Sequence, residues 1–190
     1  MWVKCSMSNQ LSVSSTKIRQ AIAADAAGLA QVHVATWRTT YKGLISDEVL
    51  AGLSMERREQ YWLRQLEAPL PNSFVYVATQ DEQVVGFSSG GAERTGDPDY
   101  QGEVYALYLL QEAQRRGVGR GLMDASAQSL LSNGMNNMLI WVLRDNPSRR
   151  FYEAMGGSFV REQNIEIGGQ TLVEVAYGWK DLHSLVKKNA

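Results

Sequence analysis

The chain is poor in the residues that build metal sites and cross-links. Cys5 is its only cysteine, so no disulfide closes within the chain and no cysteine-based zinc site forms. Histidine occurs only at His33 and His183, which argues against a histidine-rich metal site, and no metal is expected. An excess of either charge is missing as well. Nineteen Lys and Arg against twenty Asp and Glu give a formal charge of −1, so neither nucleic acid nor a membrane surface is an expected partner. No apolar run approaches the roughly 18 residues of a membrane-spanning helix. The stretch 1–15 is polar and Ser-rich, lacks the apolar core of a signal peptide, and reads as a frayed tail. With the lone cysteine, these absences point to a reducing cytoplasm. There are no internal repeats.

What is present is one domain's worth of alternating strands and helices. A chain of 190 residues is long enough to bury roughly 70% of the surface its unfolded form exposes, and residues 16–185 are expected to form a single domain. Residues 16–23 read as a short strand, and Asp25 is placed to cap a helix over 26–39. A second helix is expected over 47–66, capped by Ser46 or Asp47 and stopped by Pro69 and Pro71. Residues 74–78 and 84–88 form a predicted hairpin, and a third strand runs over 102–110. A helix follows the glycines near 119, with Asn133-Gly134 as its closing turn. The apolar run Met138–Leu143 has the character of a strand buried on both faces. Asn146-Pro147 opens a further helix that ends at Gly156-Gly157, and two closing strands flank the turn at 168–170. The fold class is α/β, a mixed sheet with helices on its faces.

The segment Gln114-Arg-Arg-Gly-Val-Gly-Arg-Gly-Leu-Met123 carries the chemistry. A strand feeds it and a helix leaves it. Gly117, Gly119 and Gly121 permit close backbone approach, while the free N–H groups and positive dipole of the helix start attract phosphate. Arg115, Arg116 and Arg120 add cationic donors. The dinucleotide fingerprint fails because Leu122 stands where its third glycine belongs, and no Lys-Ser/Thr pair follows as a P-loop requires.

Strand, glycine-arginine turn and helix resemble motif A of the GNAT superfamily of N-acetyltransferases, whose Gln/Arg-x-x-Gly-x-Gly/Ala loop binds the pyrophosphate of coenzyme A. Downstream, Asn146-Pro-Ser-Arg-Arg-Phe-Tyr-Glu-Ala-Met-Gly156 resembles motif B of the same superfamily, except that Gly157 stands where an aromatic is common, a departure expected to loosen packing there. Trp37-Arg-Thr-Thr-Tyr41 is similar to a segment that lies beside the acceptor cleft in bacterial members of unassigned substrate. The resemblance spans roughly residues 16–182. It implies the GNAT fold, a mostly antiparallel sheet of about seven strands with about four helices, splayed between the fourth and fifth strands.

It also implies acetyl-CoA as co-substrate and direct acetyl transfer to a primary amine. By spacing from Gly117, Glu103 matches the catalytic base of the histone-acetylating branch, and Tyr152 the general acid beside the coenzyme sulfur. A backbone N–H near Leu107 would stabilise the thioester oxygen, and the backbone of Leu109 would pair with the pantetheine arm. Gln114, Arg115, Arg116, Gly117, Val118, Gly119, Arg120 and Gly121 would form the cofactor cradle. Asn146 would contact the coenzyme or cap its helix. Trp37 and Tyr41 would meet the acceptor or serve as core. The histidines lie in no matched motif and read as surface or hydrogen-bonded core. A non-catalytic acyl-CoA-binding or sensing module is the alternative, disfavoured by the joint presence of Glu103 and Tyr152. Other acyl chains and many amines satisfy these motifs equally, and Glu48, Glu93, Asp97 and Asp99 hint at an acidic acceptor cleft. A homodimer is expected from the family.

Overall fold

A computed structural model describes residues 15–187; the expected tail at 1–15, apart from Ser15, and Cys5 lie outside them. Seven strands form one sheet in the order β1-β2-β3-β4-β5-β7-β6. They are β1 (Lys17–Gln20), β2 (Phe74–Gln80), β3 (Gln83–Ala92), β4 (Gly102–Leu109), β5 (Met138–Leu143), β6 (Ser158–Ile167) and β7 (Gln170–Trp179). Six helices accompany them: α1 (Ala26–Thr40), α2 (Asp47–Ala51), α3 (Met55–Glu67), α4 (Val118–Ser132), α5 (Arg149–Ala154) and α6 (Leu182–Lys187). All strand pairs are antiparallel except β4 with β5.

Local chemistry sets the boundaries. The β2–β3 hairpin turns on Asp81 and Glu82, with φ of 47° and 63°, the pair of positive angles that a two-residue turn needs to match the twist of its strands. The helix expected over 47–66 is two. Gly52 closes α2, and Ser54 opens α3 by accepting the Arg57 N–H at 3.1 Å. Ser46 caps α2 through the Val49 N–H. Asp25 does not cap α1 with its side chain. Its carboxylate accepts the Ile22 N–H at 2.8 Å and both terminal nitrogens of Arg19, at 2.7 and 2.8 Å. Motif-like Asn146-Pro147 precedes α5 rather than entering it, with Ser148 at the N-cap.

The sheet is buried on both faces. Met123, Ala127 and Leu130 of α4, with Leu182 and Leu185 of α6, cover Val104, Ile140, Val175 and Trp179. On the other face Leu29, Ala30 and Val32 of α1 and Trp62 of α3 cover Val77 and Phe87. A smaller cluster, Tyr41, Ile45, Leu50 and Leu143, extends this layer under the α1–α2 junction.

One irregularity positions the site. Ser89 pairs with Ala106 and Gly90 with Val104, so Tyr105 is the extra residue of a bulge in β4. The parallel pairing of β4 with β5 covers only Gly102–Val104 and Met138–Ile140. Beyond the bulge the two strands part, which is the expected splay between the fourth and fifth strands.

Candidate functional site

The splay opens a cleft of about 690 Å³. Its walls are the diverging segments 105–109 of β4 and 140–142 of β5, each with a backbone edge no longer paired to the other strand. One end meets the turn before α4 and the start of α5; the other reaches Thr36, Thr40 and Tyr41 at the end of α1.

Gln114, Arg115, Gly117, Gly119 and Arg120 of the glycine-arginine turn line the cleft. A short 3-10 turn at Gln111–Ala113 separates β4 from this segment. Gly117 holds φ +81° at the N-cap of α4, a left-handed geometry that favours glycine. Arg115 adopts φ +59°, where an L-residue is strained. The helix ladder begins with Gly121 N–H donating to the Gly117 carbonyl at 3.0 Å. The N–H groups of Val118 and Gly119, in the first turn, lie ahead of that ladder and face the loop. The remaining loop residues stand differently: the Val118 side chain is core, Gly121 packs against Ile18, and exposed Arg116 is not among the lining residues.

Leu107, Leu109, Asn146 and Tyr152 also line the cleft. The Leu109 carbonyl accepts Gln114 Nε2 at 3.3 Å and Thr36 Oγ1 at 3.4 Å. Asn146 is buried, and its Oδ1 accepts the Ser148 N–H at 2.9 Å, tightening the chain before α5. Tyr152 is held by ring contacts with Phe151, Tyr177 and Trp179. Burial, then the neighbouring Tyr108, raises its phenol well above the ordinary range, so it stays protonated across neutral pH. Gly157 does not loosen α5: the Trp179 indole occupies the space beside it, 2.7 Å from where a Cβ would stand.

Glu103 is 2% exposed and is not a lining residue. Its carboxylate accepts Arg94 Nη2 at 2.5 Å, Arg94 Nε at 3.1 Å and the Arg94 N–H at 3.3 Å. The guanidinium lies 4.0 Å from the Tyr105 ring centre. Nothing in the motif signals this partner. The acidic loop is likewise internally satisfied. Glu93 accepts the N–H groups of Thr95 and Asp97, each at 2.8 Å, Asp97 accepts those of Asp99 and Tyr100, and Asp97 pairs with Arg161. Glu93 and Asp97 thus hold the β3–β4 loop in shape, while the Asp99 carboxylate is exposed near Lys180.

On the acceptor side Tyr41 lines the cleft, and Trp37 stands behind it with ring centres 5.0 Å apart, edge to face. Burial and the hydroxyl of Tyr108 push the Tyr41 phenol far up. His33 is core, but not a hydrogen-bonded one. Trp37, Trp62, Phe87 and Tyr108 surround it, neither ring nitrogen has a partner among the described residues, and burial, then the charge of Arg58, lowers its pKa to about 3. It stays neutral. His183 is exposed on α6.

Sequence reasoning did not single out Tyr105, Tyr108, Trp141, Ser148 or Arg150, all of which line the cleft. The arrangement suits an elongated anionic ligand: a helix N-terminus with arginines at one end, unpaired strand backbone along the middle, and a buried protonated phenol and an aromatic chamber beyond.

Comparison with known proteins agrees. The profile of the acetyltransferase (GNAT) family matches residues 35–157. The chain is 43% identical over 171 residues to the uncharacterized N-acetyltransferase YuaI of Bacillus subtilis, covering 88% of this chain and 95% of the relative. It is 26% identical to a probable N-acetyltransferase of Mycobacterium tuberculosis, covering 89% of this chain and 87% of that one. Among solved structures, the fold is similar to the PaiA N-acetyltransferase of Thermoplasma acidophilum in complex with coenzyme A, with TM-score 0.66, 20% identity, and coverage of 85% of this chain and 98% of that one. The structure of yncA, a putative acetyltransferase from Salmonella typhimurium, with its cofactor acetyl-CoA, gives TM-score 0.66, 21% identity, and coverage of 89% of this chain and 95% of that one.

Proposed function

The chain belongs to the acetyltransferase (GNAT) family and is an acetyltransferase, and from this premise we propose how its residues divide the work of moving an acetyl group to a primary amine. The observation that carries the proposal is the β4–β5 splay, with the glycine-arginine turn at one end and Tyr152 in its wall.

Gln114, Arg115, Arg116, Arg120 and the N–H groups of 117–119 hold the pyrophosphate of acetyl-CoA, with Gly121 letting the helix start approach closely, and the coenzyme's contribution is the activated acetyl thioester. Free N–H groups at a helix start and adjacent guanidiniums fit that anion. The backbone of Leu109 pairs with the pantetheine arm, Gln114 giving up the Leu109 carbonyl as the arm arrives. Asn146 shapes the cleft where it passes α5. A backbone N–H near Leu107 donates to the thioester oxygen as charge builds there. Tyr152, kept protonated by burial, donates to the departing thiolate. Glu103 takes the amine proton, and its Arg94 partner holds the carboxylate in place until then. Trp37 and Tyr41 bound the acceptor. The scheme uses no metal.

Residues 16–185 act as one domain in this reading, supported by the continuous sheet. We place the protein in the cytoplasm as a homodimer, without nucleic-acid or membrane partners. The near-neutral charge balance speaks against nucleic-acid and membrane-surface affinity, and among the described residues no helix is long and apolar enough to cross a membrane.

Thiol release from acetyl-CoA over a panel of amines and peptides, run beside Tyr152→Phe, tests the scheme. Turnover should fall roughly 10²-fold in the variant with acetyl-CoA affinity unchanged. Equal turnover in the two proteins would remove Tyr152 as the acid, and acetyl-CoA binding without thiol release would favour a sensing module.

A further inference from the structure

Of the carboxylates Glu103, Asp97 and Glu174 on the acceptor side of the sheet, two are neutralised by cations. Glu103 on β4 is taken by Arg94, and Asp97 on the β3–β4 loop by Arg161, whose guanidinium lies 5.8 Å from the Trp141 ring centre. The third is Glu174 on β7. The β5–β7 register sets Ala176 opposite Trp141 and Glu174 opposite Leu143. Strand alternation therefore puts Glu174 on the same face as Trp141 and Leu143, and Leu143 packs with Tyr41.

Across the β6–β7 hairpin Glu174 faces Gln163, whose Nε2 donates to Oε1 at 2.7 Å. That neutral amide is the one donor its carboxylate has among the described residues. Burial raises Glu174 above the ordinary carboxylate range; the Gln163 hydrogen bond opposes this, the Glu103 charge adds to it, and the Arg94 charge opposes it. Its charge also reaches the Tyr41 hydroxyl. Glu174 is not itself a lining residue, but it shares a sheet face with Trp141 and acts electrostatically on Tyr41, both of which line the cleft; a half-buried anion so placed, without a cation among the described residues, is an electrostatic vacancy of one positive charge.

Resting on the acetyl-transfer reading above, we propose that Glu174 seats the ammonium group of the acceptor, with Tyr41 and Trp141 as walls for its carbon chain. The acceptor class is thus a primary alkylamine that arrives as its cation. Glu174 is a binding residue in this assignment, and proton removal remains with Glu103.

The test titrates coenzyme A-loaded protein with n-butylammonium chloride, followed by saturation-transfer NMR. Wild type should bind saturably, Glu174→Gln at least tenfold more weakly, and Glu162→Gln, altering a carboxylate on β6 that is 53% exposed, within twofold of wild type. No saturable binding by wild type, or equal affinity in Glu174→Gln, overturns the assignment. Calorimetric coenzyme A affinity should be the same in all three proteins, and its loss in Glu174→Gln would mark a structural residue and overturn the assignment as well. Thiol release separates the two readings. Saturable ammonium binding that Glu174→Gln abolishes, without turnover of any amine, sinks acetyl transfer and leaves the seat standing. Turnover of butylamine whose KM ignores Glu174→Gln sinks the seat alone.

Discussion

Replacing Gly117 by alanine separates the strain of the cradle from its ligand chemistry, because the fold supplies a matched control. Gly117 opens α4 at φ +81°, and Gly134, past the other end of the same helix, has φ +77°. A Cβ at either position meets nothing within 4 Å, so neither substitution collides with a neighbour. Each therefore costs only the backbone preference. A left-handed L-residue loses roughly 1–2 kcal/mol, while stiffening the unfolded chain returns roughly 0.4–1 kcal/mol. The net is about 1 kcal/mol for both variants, a fall in Tm of about 2–4 °C in a protein of this size. Only Gly117→Ala also turns the N–H groups of 118 and 119. Losing one charge-assisted hydrogen bond there costs roughly 1.5–3 kcal/mol, which weakens acetyl-CoA by about 10- to 100-fold. Differential scanning calorimetry and isothermal titration at one salt concentration read the two quantities. Equal acetyl-CoA affinity in Gly117→Ala and Gly134→Ala, at equal Tm, would refute the cradle.

Two further outcomes follow from the packing. For Asp25, burial pushes the carboxyl up, but the Arg19 hydrogen bonds, the Ile22 N–H and the Arg19 charge together hold it below its ordinary value. A depressed folded pKa stabilises above the unfolded pKa, near 3.9, and that share is lost as pH falls through the folded pKa. Asp25→Asn should therefore be less stable by about 1–2 kcal/mol at pH 7, with the gap to wild type closing below about pH 4 in denaturant titrations; a gap independent of pH would contradict the assignment. Gly157→Phe, which would match the more common motif residue, should destabilise by about 1–3 kcal/mol through overpacking against Trp179, and urea unfolding that shows a gain would overturn that account.

The parts legible in the sequence are those whose signal is local. The apolar run 138–143 became β5 with the bounds expected, because a strand buried on both faces needs no partner to be recognised. The glycine-arginine turn likewise carries its geometry in its own residues. The break at Gly52 was signalled by Ser54, but a continuous helical pattern concealed it. Leu182 and Leu185 of α6 were too few to announce a helix. Asp25 has the local sequence of a cap, although Arg19 six residues upstream claims it. At the site, Arg94 finds Glu103 only because the β3–β4 loop folds back, and Trp141 and Glu174 share a face only through the register of β5 with β7. Side chains on strands acquire meaning from a neighbouring strand, which a linear pattern does not display.

The sheet order also dictates when during synthesis this enzyme can exist. β5 has β4 on one side for only three residue pairs and β7 on the other along its whole length. Until residues 170–179 have left the ribosome, the nascent chain carries Met138–Leu143 as an uncovered apolar edge. The β5 wall of the cleft is therefore covered on its other edge only once the β6–β7 hairpin is made. Stalling shortly before it yields an adhesive fragment with its phosphate loop already encoded, so translation speed through the final hairpin bears on how much of the protein reaches its working form.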